Sequence, residues 1–417
     1  MEDSQSQFID VDNLCVGMYI HLDLGWMGHP FALNHFKIIS PDQIETIRTL
    51  GLKRLRWSPD KSDPPPTSDT APTATAPSTT SATEERRLLL LAQHKSLEQC
   101  EREFTGATRG FREILKLVQN QPEAARERAE AMVHDFVTKL LDQGESCIRL
   151  LSEKAGEKSS LHSINVTVIS LLLGRSLGLD AEALEQLGIG ALLHDIGKIE
   201  LPERVRWRDA GFSAAERKLF ELHVAHGEEL ASRMQLDAQV RAIIAQHHEY
   251  ADGSGFPRCL SSDSLSQLSG VVGLVNHYDN LCNPANPVAA ITPHQALSLM
   301  FVQSKTKFDS STLGVFIRMM GVYPPGSMVV LTDNRYALVV SVNSSRPLKP
   351  RVLIHDPRVP REDALLVDLE EHPELGIRQS LKPLQLPRAV FDYLSPRQRM
   401  CYFFERARDS SEIRETT

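Results

Sequence analysis

Apolar residues recur along this chain at two different spacings, and the change from one to the other divides it. Between residues 84 and 155, Phe104, Phe111, Leu115 and Val118, then Met132, Val133, Phe136 and Leu140, recur at helical intervals with charged residues between them. That period places them on one face of long helices, and Asn120, Gln121 and Pro122 mark a break between two of them. The same period runs from 156 to about 320 through Val166, Ile169 and Leu173, through Leu184, Leu187 and Leu192, and through residues 271–281. Start signals accompany it. Asp180 caps the helix leading to residue 194, Ser213 and Glu216 form a capping box, and Thr292, Pro293 and Gln295 open a later helix.

After Gly321 the period becomes that of strands. Residues 322–326 read as a turn, 328–331 and 336–342 alternate, and 351–355 and 365–369 extend the sheet. A helix and then a charged, frayed tail are predicted over 387–417. At the other end, residues 14–20 and 31–39 read as strands, followed by a helix. Ser40, Pro41 and Gln43 start that helix, Ile44, Ile47 and Leu50 share one face, and Gly51 ends it. Between these regions, residues 59–83 are Pro, Thr, Ser and Ala with almost no large apolar side chain, the composition of a disordered linker. The pattern thus predicts a mainly α protein in six parts: a small α+β unit at 1–58, the linker at 59–83, a helical segment at 84–155, a helical domain at 156–320, a small β extension at 321–386, and the helix and tail at 387–417.

Composition narrows the function more than the fold. A chain of 417 residues exceeds one ordinary core, and 41% hydrophobic with 24% charged residues is the balance of a globular protein. The net charge of −8 argues against binding a nucleic-acid polymer. Six cysteines, Cys15, Cys100, Cys147, Cys259, Cys282 and Cys401, lie scattered with no Cys-x-x-Cys pair, so reduced thiols are expected. Met1, Glu2 and Asp3 open the chain without a basic leader, and no stretch has the length and apolarity of a membrane span. A cytoplasmic location with no membrane attachment is the expectation.

The candidate chemistry lies where the apolar helix over 184–193 runs into His194 and Asp195, followed by Gly197 and Lys198. Alone, that pair reads more readily as a hydrogen-bonded helix end. A carboxylate beside a buried helix nevertheless needs a cation or several donors, because desolvating it alone costs several kcal/mol. Further histidines follow a definite order. His162 opens an apolar helix, His223 stands four residues before Gly227, and His247, His248 and Glu249 precede Asp252, Gly253, Gly255, Phe256 and Pro257. In this order the residues resemble the HD-GYP branch of the HD-domain metal phosphohydrolases, with Phe256 where that branch usually has tyrosine. Residues 1–58 resemble the small amino-terminal domain found in some members.

The resemblance implies an all-helical HD-domain core at 156–320 with the α+β unit and β-rich appendage on either side. It also implies two divalent metal ions bridged by Asp195, with His162 and His194 on one and His223, His247 and His248 on the other. Imidazole and carboxylate suit Fe, Mn, Zn or Co without selecting among them; Fe or Mn is expected first, with Zn, Co or Ni as alternatives. Lys198 would hold a phosphate oxygen, Gly253 and Gly255 would allow close approach of the loop to substrate, and Phe256 would either pack or stack on a base. The implied activity is hydrolysis of the bacterial second messenger cyclic di-GMP to pGpG and onward to GMP. The alternative is a degenerate module that binds a nucleotide or a protein partner without turnover, and a homodimer or a signalling partner would suit either.

The chain departs from the family in one helix. Asn276 falls on an aspartate that is a metal ligand there, Asp279 matches the second aspartate, and Asn286 and Pro287 stand near the place of a later arginine. Either Asn276 is a weak neutral ligand or Asp279 has taken over its role. Lys158, one turn before His162, argues against a third ion. His21, His29 and His35 lack ligand spacing and read as surface or packing residues, while His226 merely shares the helix of His223.

Overall fold

The computed structural model describes residues 7–22, 35–38, 43–44, 47–48, 52, 54–62, 79–142, 146–151, 158–207, 211–343 and 347–406. The protein is mainly α, with strand-rich parts near both ends. It divides into two units, Met1–Ser78 and Thr79–Thr417.

In the first unit, strands Gln7–Asp10, Arg54–Ser58, Tyr19–His21 and His35–Lys37 lie side by side in that order, each antiparallel to its neighbours. The strand expected at 14–20 begins only at Tyr19, because a turn at residues 16–17 precedes it. That expected at 31–39 is seen as His35–Lys37, with 31–34 outside the described residues. Two strands had not been expected. Arg54–Ser58 shows why: its alternation of Arg54 and Arg56 with Leu55 and Trp57 is too short to stand out. Gln43, Ile44, Ile47 and Arg48 are helical, and Ile44 and Ile47 join Ile20, Ile38 and Leu55 in a small core. Ser40, Pro41, Leu50 and Gly51, together with His29, lie outside the described residues. His21 bonds Ser58 Oγ at 3.0 Å, and in register it pairs with His35.

The second unit starts earlier than the composition suggested. Its first helix spans Thr79–Leu117, so residues 79–83 of the expected linker are helical, and Pro59–Lys61 at its start form a 3₁₀ turn. Glu84 and Glu85 lie beyond the first turn of this helix, and the hydroxyl residues before them are included in it. Residues 63–78 are not among those described. After the break at 118–121, Pro122–Asp142 packs back on the first helix. Lys158–Ser176 is the central helix, with Val166, Ile169 and Leu173 fully buried. It packs against Ala181–Leu193, Gln267–Cys282, Ser310–Met320 and the first helix. Ala214–Arg233 and Ala238–Gln246 close the remaining side. No helix among the described residues is long and apolar enough to cross a membrane.

The strand-rich part is larger than expected. Seven strands make one antiparallel sheet, running from Ile377–Leu381 through Met328–Leu331, Tyr336–Asn343 and Ser146–Leu150 to Tyr402–Arg406. Arg351–Ile354 and Leu366–Asp368 extend it from Tyr336–Asn343. Two expectations are thereby corrected. The segment 84–155 is not wholly helical, because Ser146–Leu150 is a central strand. Nor is 387–417 only a helix and a frayed tail. After helix Arg388–Leu394 comes strand Tyr402–Arg406, in which Tyr402, Phe403 and Phe404 are buried. Phe403 meets Phe104 and Phe136 edge-on, with ring centroids 6.3 and 5.9 Å apart. Arg149 and Glu405 form an ion pair at 2.6 Å across the two strands, and both are buried. Removing either partner would strand a buried charge at a cost of about 3–5 kcal/mol, which fixes the register. The last strand thus ties the end of the described chain to the helical core.

Candidate metal centre

Helix Ala181–Leu193 is capped by Asp180, whose side chain accepts from the Ala183 amide at 2.9 Å, and its apolar face is buried. At its end the backbone tightens into a 3₁₀ turn over Ile196–Glu200. Gly197 lets that turn lie directly on the helix of His223. A Cβ there would stand 2.0 Å from the His223 carbonyl oxygen and 2.4 Å from the Gly227 amide nitrogen. Only a residue without a side chain permits the approach, and the approach brings Asp195 against His223.

Asp195 is the hub. Its Oδ2 lies 3.5 Å from His162 Nε2 and 3.3 Å from His194 Nε2. Its Oδ1 lies 3.5 Å from His223 Nε2 and 3.6 Å from His247 Nε2. His248 belongs to the second group, its ligand atom clustering with those of Asp195, His223 and His247. Each of the four facing rings is oriented from behind. Nδ1 of His194, His223 and His247 donates to the carbonyl three residues earlier, of Ala191, Phe220 and Ile244, at 2.7, 2.6 and 2.9 Å. His162 Nδ1 donates to Asp279 Oδ2 at 2.6 Å. With these protons committed, the Nε2 atoms of His194, His223 and His247 turn their lone pairs inward, and that of His162 becomes a ligand atom once its second proton is displaced.

The donor set fits metal. His223 and His247 bring two Nε2 acceptors within 3.4 Å with no proton between them. Asp195 Oδ1 and His248 Nε2 are buried without a hydrogen-bond partner. Such atoms repel unless a cation lies among them. Two donors each about 2.0–2.1 Å from one ion stand roughly 3 Å apart at right angles and farther at wider angles, which is the spacing seen.

The protein's own charges set the protonation. Burial lowers His194 to about 4 and His223 to about 3, against the attraction of Asp195, and holds His248 well below the usual range. Burial also opposes the charged form of His162, but bonding to Asp195 and Asp279 outweighs it and raises the group to about 9. For Asp195, burial is outweighed by Lys198 and the neighbouring imidazoles, which keep the carboxyl well below the usual carboxylate range.

The other residues singled out from the sequence take varied places. Lys198 Nζ donates to Asp195 Oδ2 at 2.5 Å and lies over the rings of Phe220 and Trp207. Lys198 lines a pocket that also includes His162 and His248. Phe256 stacks on the His248 ring, centroids 4.4 Å apart and planes 23° apart, so packing engages it. Gly255 serves that same loop: a Cβ would lie 2.4–2.6 Å from main-chain atoms of His248, Glu249 and Tyr250. Gly253, with φ of 74°, forms the turn beside it. Both glycines therefore shape the chain around His248. Asn276 is buried, and its Oδ1 accepts from Asn280 Nδ2 at 2.6 Å on its own helix. Asp279, one turn on, is the residue that reaches His162.

The sequence reading assigned no role to three features. Glu249 is buried and accepts from the amides of Arg258 and Leu260, holding the loop at both ends. Asn165 and Asn283 each donate to Asp279 Oδ1 at 2.9 Å. Trp207 and Arg399 line the pocket beside His162 and Lys198. The position of Asn165, three residues after His162, was the one local signal, since i and i+3 share a helix face.

The sequence matches the HD domain over residues 117–312 and a domain of unknown function, DUF3391, over residues 6–129. It is 25% identical over 358 residues to a cyclic di-GMP phosphodiesterase of Pseudomonas aeruginosa, covering 83% of this chain and 84% of the relative. It is 31% identical to a cyclic di-GMP phosphodiesterase response regulator of Xanthomonas campestris, over 35% of this chain and 39% of the relative. A third relative, a 3'3'-cGAMP-specific phosphodiesterase of Vibrio cholerae, is 25% identical over 39% of this chain and 35% of its own length. The chain therefore spans most of the first relative and well under half of the other two. Within it, residues 117–312 match the HD domain, and the adjacent His194 and Asp195 lie inside that match.

Proposed function

We propose that the protein is a metal-dependent phosphodiesterase that hydrolyses cyclic di-GMP to pGpG and onward to GMP. One observation carries the reading: the two oxygens of Asp195 each face a separate pair of Nε2 atoms, His162 with His194 and His223 with His247. A carboxylate so placed suits a bridge between two divalent ions, Fe or Mn being the first candidates, with His248 completing the second set. Ions held there would supply Lewis acidity to a phosphodiester oxygen and lower the pKa of a water molecule.

The chain's own groups do the rest. Main-chain carbonyls behind His194, His223 and His247 hold each imidazole in the ligating tautomer. Asp279 does the same for His162 through a buried carboxylate. Asp279 is thus a positioning residue, and Asn276, whose amide oxygen is already held by Asn280, contributes at most a neutral donor. Lys198 adds a point charge beside Asp195, where a non-bridging phosphate oxygen would arrive. Phe256 orders the loop by stacking on His248 and leaves base recognition to other residues.

The test is turnover of cyclic di-GMP by purified protein loaded anaerobically with Fe(II) or Mn(II), with metal counted per chain. His194→Ala and Asp195→Ala are expected to lose metal and activity together. Full metal content and unchanged turnover in both variants would overturn the assignment.

A further inference from the structure

We propose that Arg399 is a substrate-binding residue, delivered to the metal pocket by the last strand-bearing segment of the chain, and that its guanidinium takes a non-bridging oxygen of the phosphodiester. The inference rests on the phosphodiesterase reading and deepens it. Arg399 lies 204 residues beyond Asp195 and outside the matched HD domain, yet it lines the same pocket as His162, Lys198 and His248. No carboxylate is among that pocket's lining residues, which include the cationic Lys198 and Arg399. That polarity suits an anion.

The backbone that follows Arg399 is held by side chains of the helical core. The Met400 amide donates to Asn283 Oδ1 at 2.7 Å, and its carbonyl accepts from Asn283 Nδ2 at 2.9 Å and Asn165 Nδ2 at 2.7 Å. The Tyr402 amide donates to Asn165 Oδ1 at 2.9 Å. Both asparagine amides also donate to Asp279 Oδ1, the carboxylate that orients His162. One network therefore positions a metal-centre histidine and the backbone on either side of Met400. Asn165 and Asn283 have their carbonyls and both amide hydrogens engaged, so the network has a single low-energy arrangement. A guanidinium on such a support suits phosphate, because its planar fork meets two oxygens at once and never deprotonates.

The experiment compares the metal-loaded parent with Arg399→Ala and Arg399→Lys, using cyclic di-GMP and the small diester bis(p-nitrophenyl) phosphate. Expected are an unchanged metal content and a fall in kcat/KM of roughly 10–100-fold for both substrates in Arg399→Ala, the scale of one hydrogen bond to a charged group. Arg399→Lys should recover part of the loss. Equal kinetics in all three proteins would overturn the proposal. A loss confined to cyclic di-GMP would assign Arg399 to a base and refute the phosphate contact, and loss of metal in Arg399→Ala would make the residue structural. If the parent cleaves the small diester but not cyclic di-GMP, and Arg399→Ala still impairs it, the substrate reading fails while the role of Arg399 stands.

Discussion

Gly197→Ala isolates the contact on which the metal centre is built. The added Cβ would meet the His223 carbonyl oxygen at 2.0 Å and the Gly227 amide nitrogen at 2.4 Å, where ordinary contact begins at 3.4 Å. One backbone must therefore retreat from the other by about 1.0–1.4 Å, and neither atom is the end of a flexible side chain. Overpacking of this kind costs about 1–3 kcal/mol or more, and rigid main chain on both sides places this case at the upper end. The same retreat separates Asp195 Oδ1 from His223 Nε2, now 3.5 Å apart, by several times the roughly 0.2 Å tolerance of a metal–ligand bond. Gly106→Ala is the matched control: it lies in helix Thr79–Leu117 with nothing within 4 Å of the new Cβ. It should stabilise by about 0.5–1 kcal/mol through helix propensity alone. Urea unfolding followed by circular dichroism gives the two opposite signs, and metal analysis after loading gives the second readout. Parent-like stability and metal content in Gly197→Ala would refute the claim that this crossing sets the ligand geometry.

Asp279→Asn should weaken metal binding about 10–100-fold, the usual consequence of removing the partner behind a ligating histidine, while Asn276→Asp changes it less; chelator competition ranks the two, and the reverse order would restore Asn276 as the ligand. Metal-stripped protein should be most stable near pH 6.5. Below that pH, His194 and His223, lowered to about 4 and 3, lose stability as the unfolded chain takes up protons first; above it, the contribution of His162 is lost as pH rises through about 9. Urea midpoints between pH 5 and 9 check both limbs, and a midpoint rising steadily to pH 9 would contradict the second. Of the six thiols, Cys15 and Cys259 are exposed and should react with Ellman's reagent in the native protein, whereas buried Cys100, Cys147, Cys282 and Cys401 should react only on unfolding. Burial raises Cys100 to about 12 and Cys147 to about 11, which leaves little thiolate in either.

Helices and their caps were legible in the sequence because the interactions that make them are local. The period of Phe104, Phe111 and Leu115, the cap at Asp180 and the box at Ser213 and Glu216 all act within a few residues. The order of His162, His194, Asp195, His223, His247 and His248 was likewise open to reading, since it depends on residue identity alone. Tertiary structure decided what depends on distant partners. Strand Ser146–Leu150 was hidden at the end of a helical segment, and Tyr402–Arg406 in what read as a tail, because the two pair with each other across some 250 residues. A short strand stabilised by a remote partner carries no periodic signal of its own. The same holds at the centre. That Asp195 offers one oxygen to each pair of histidines depends on the glycine crossing of two helical segments, and that Asp279 rather than Asn276 reaches His162 depends on how two helices are rotated. Arg399 entered the pocket only when the last strand closed the sheet and its neighbours met Asn165 and Asn283, a juxtaposition set by folding energy that no local spacing encodes.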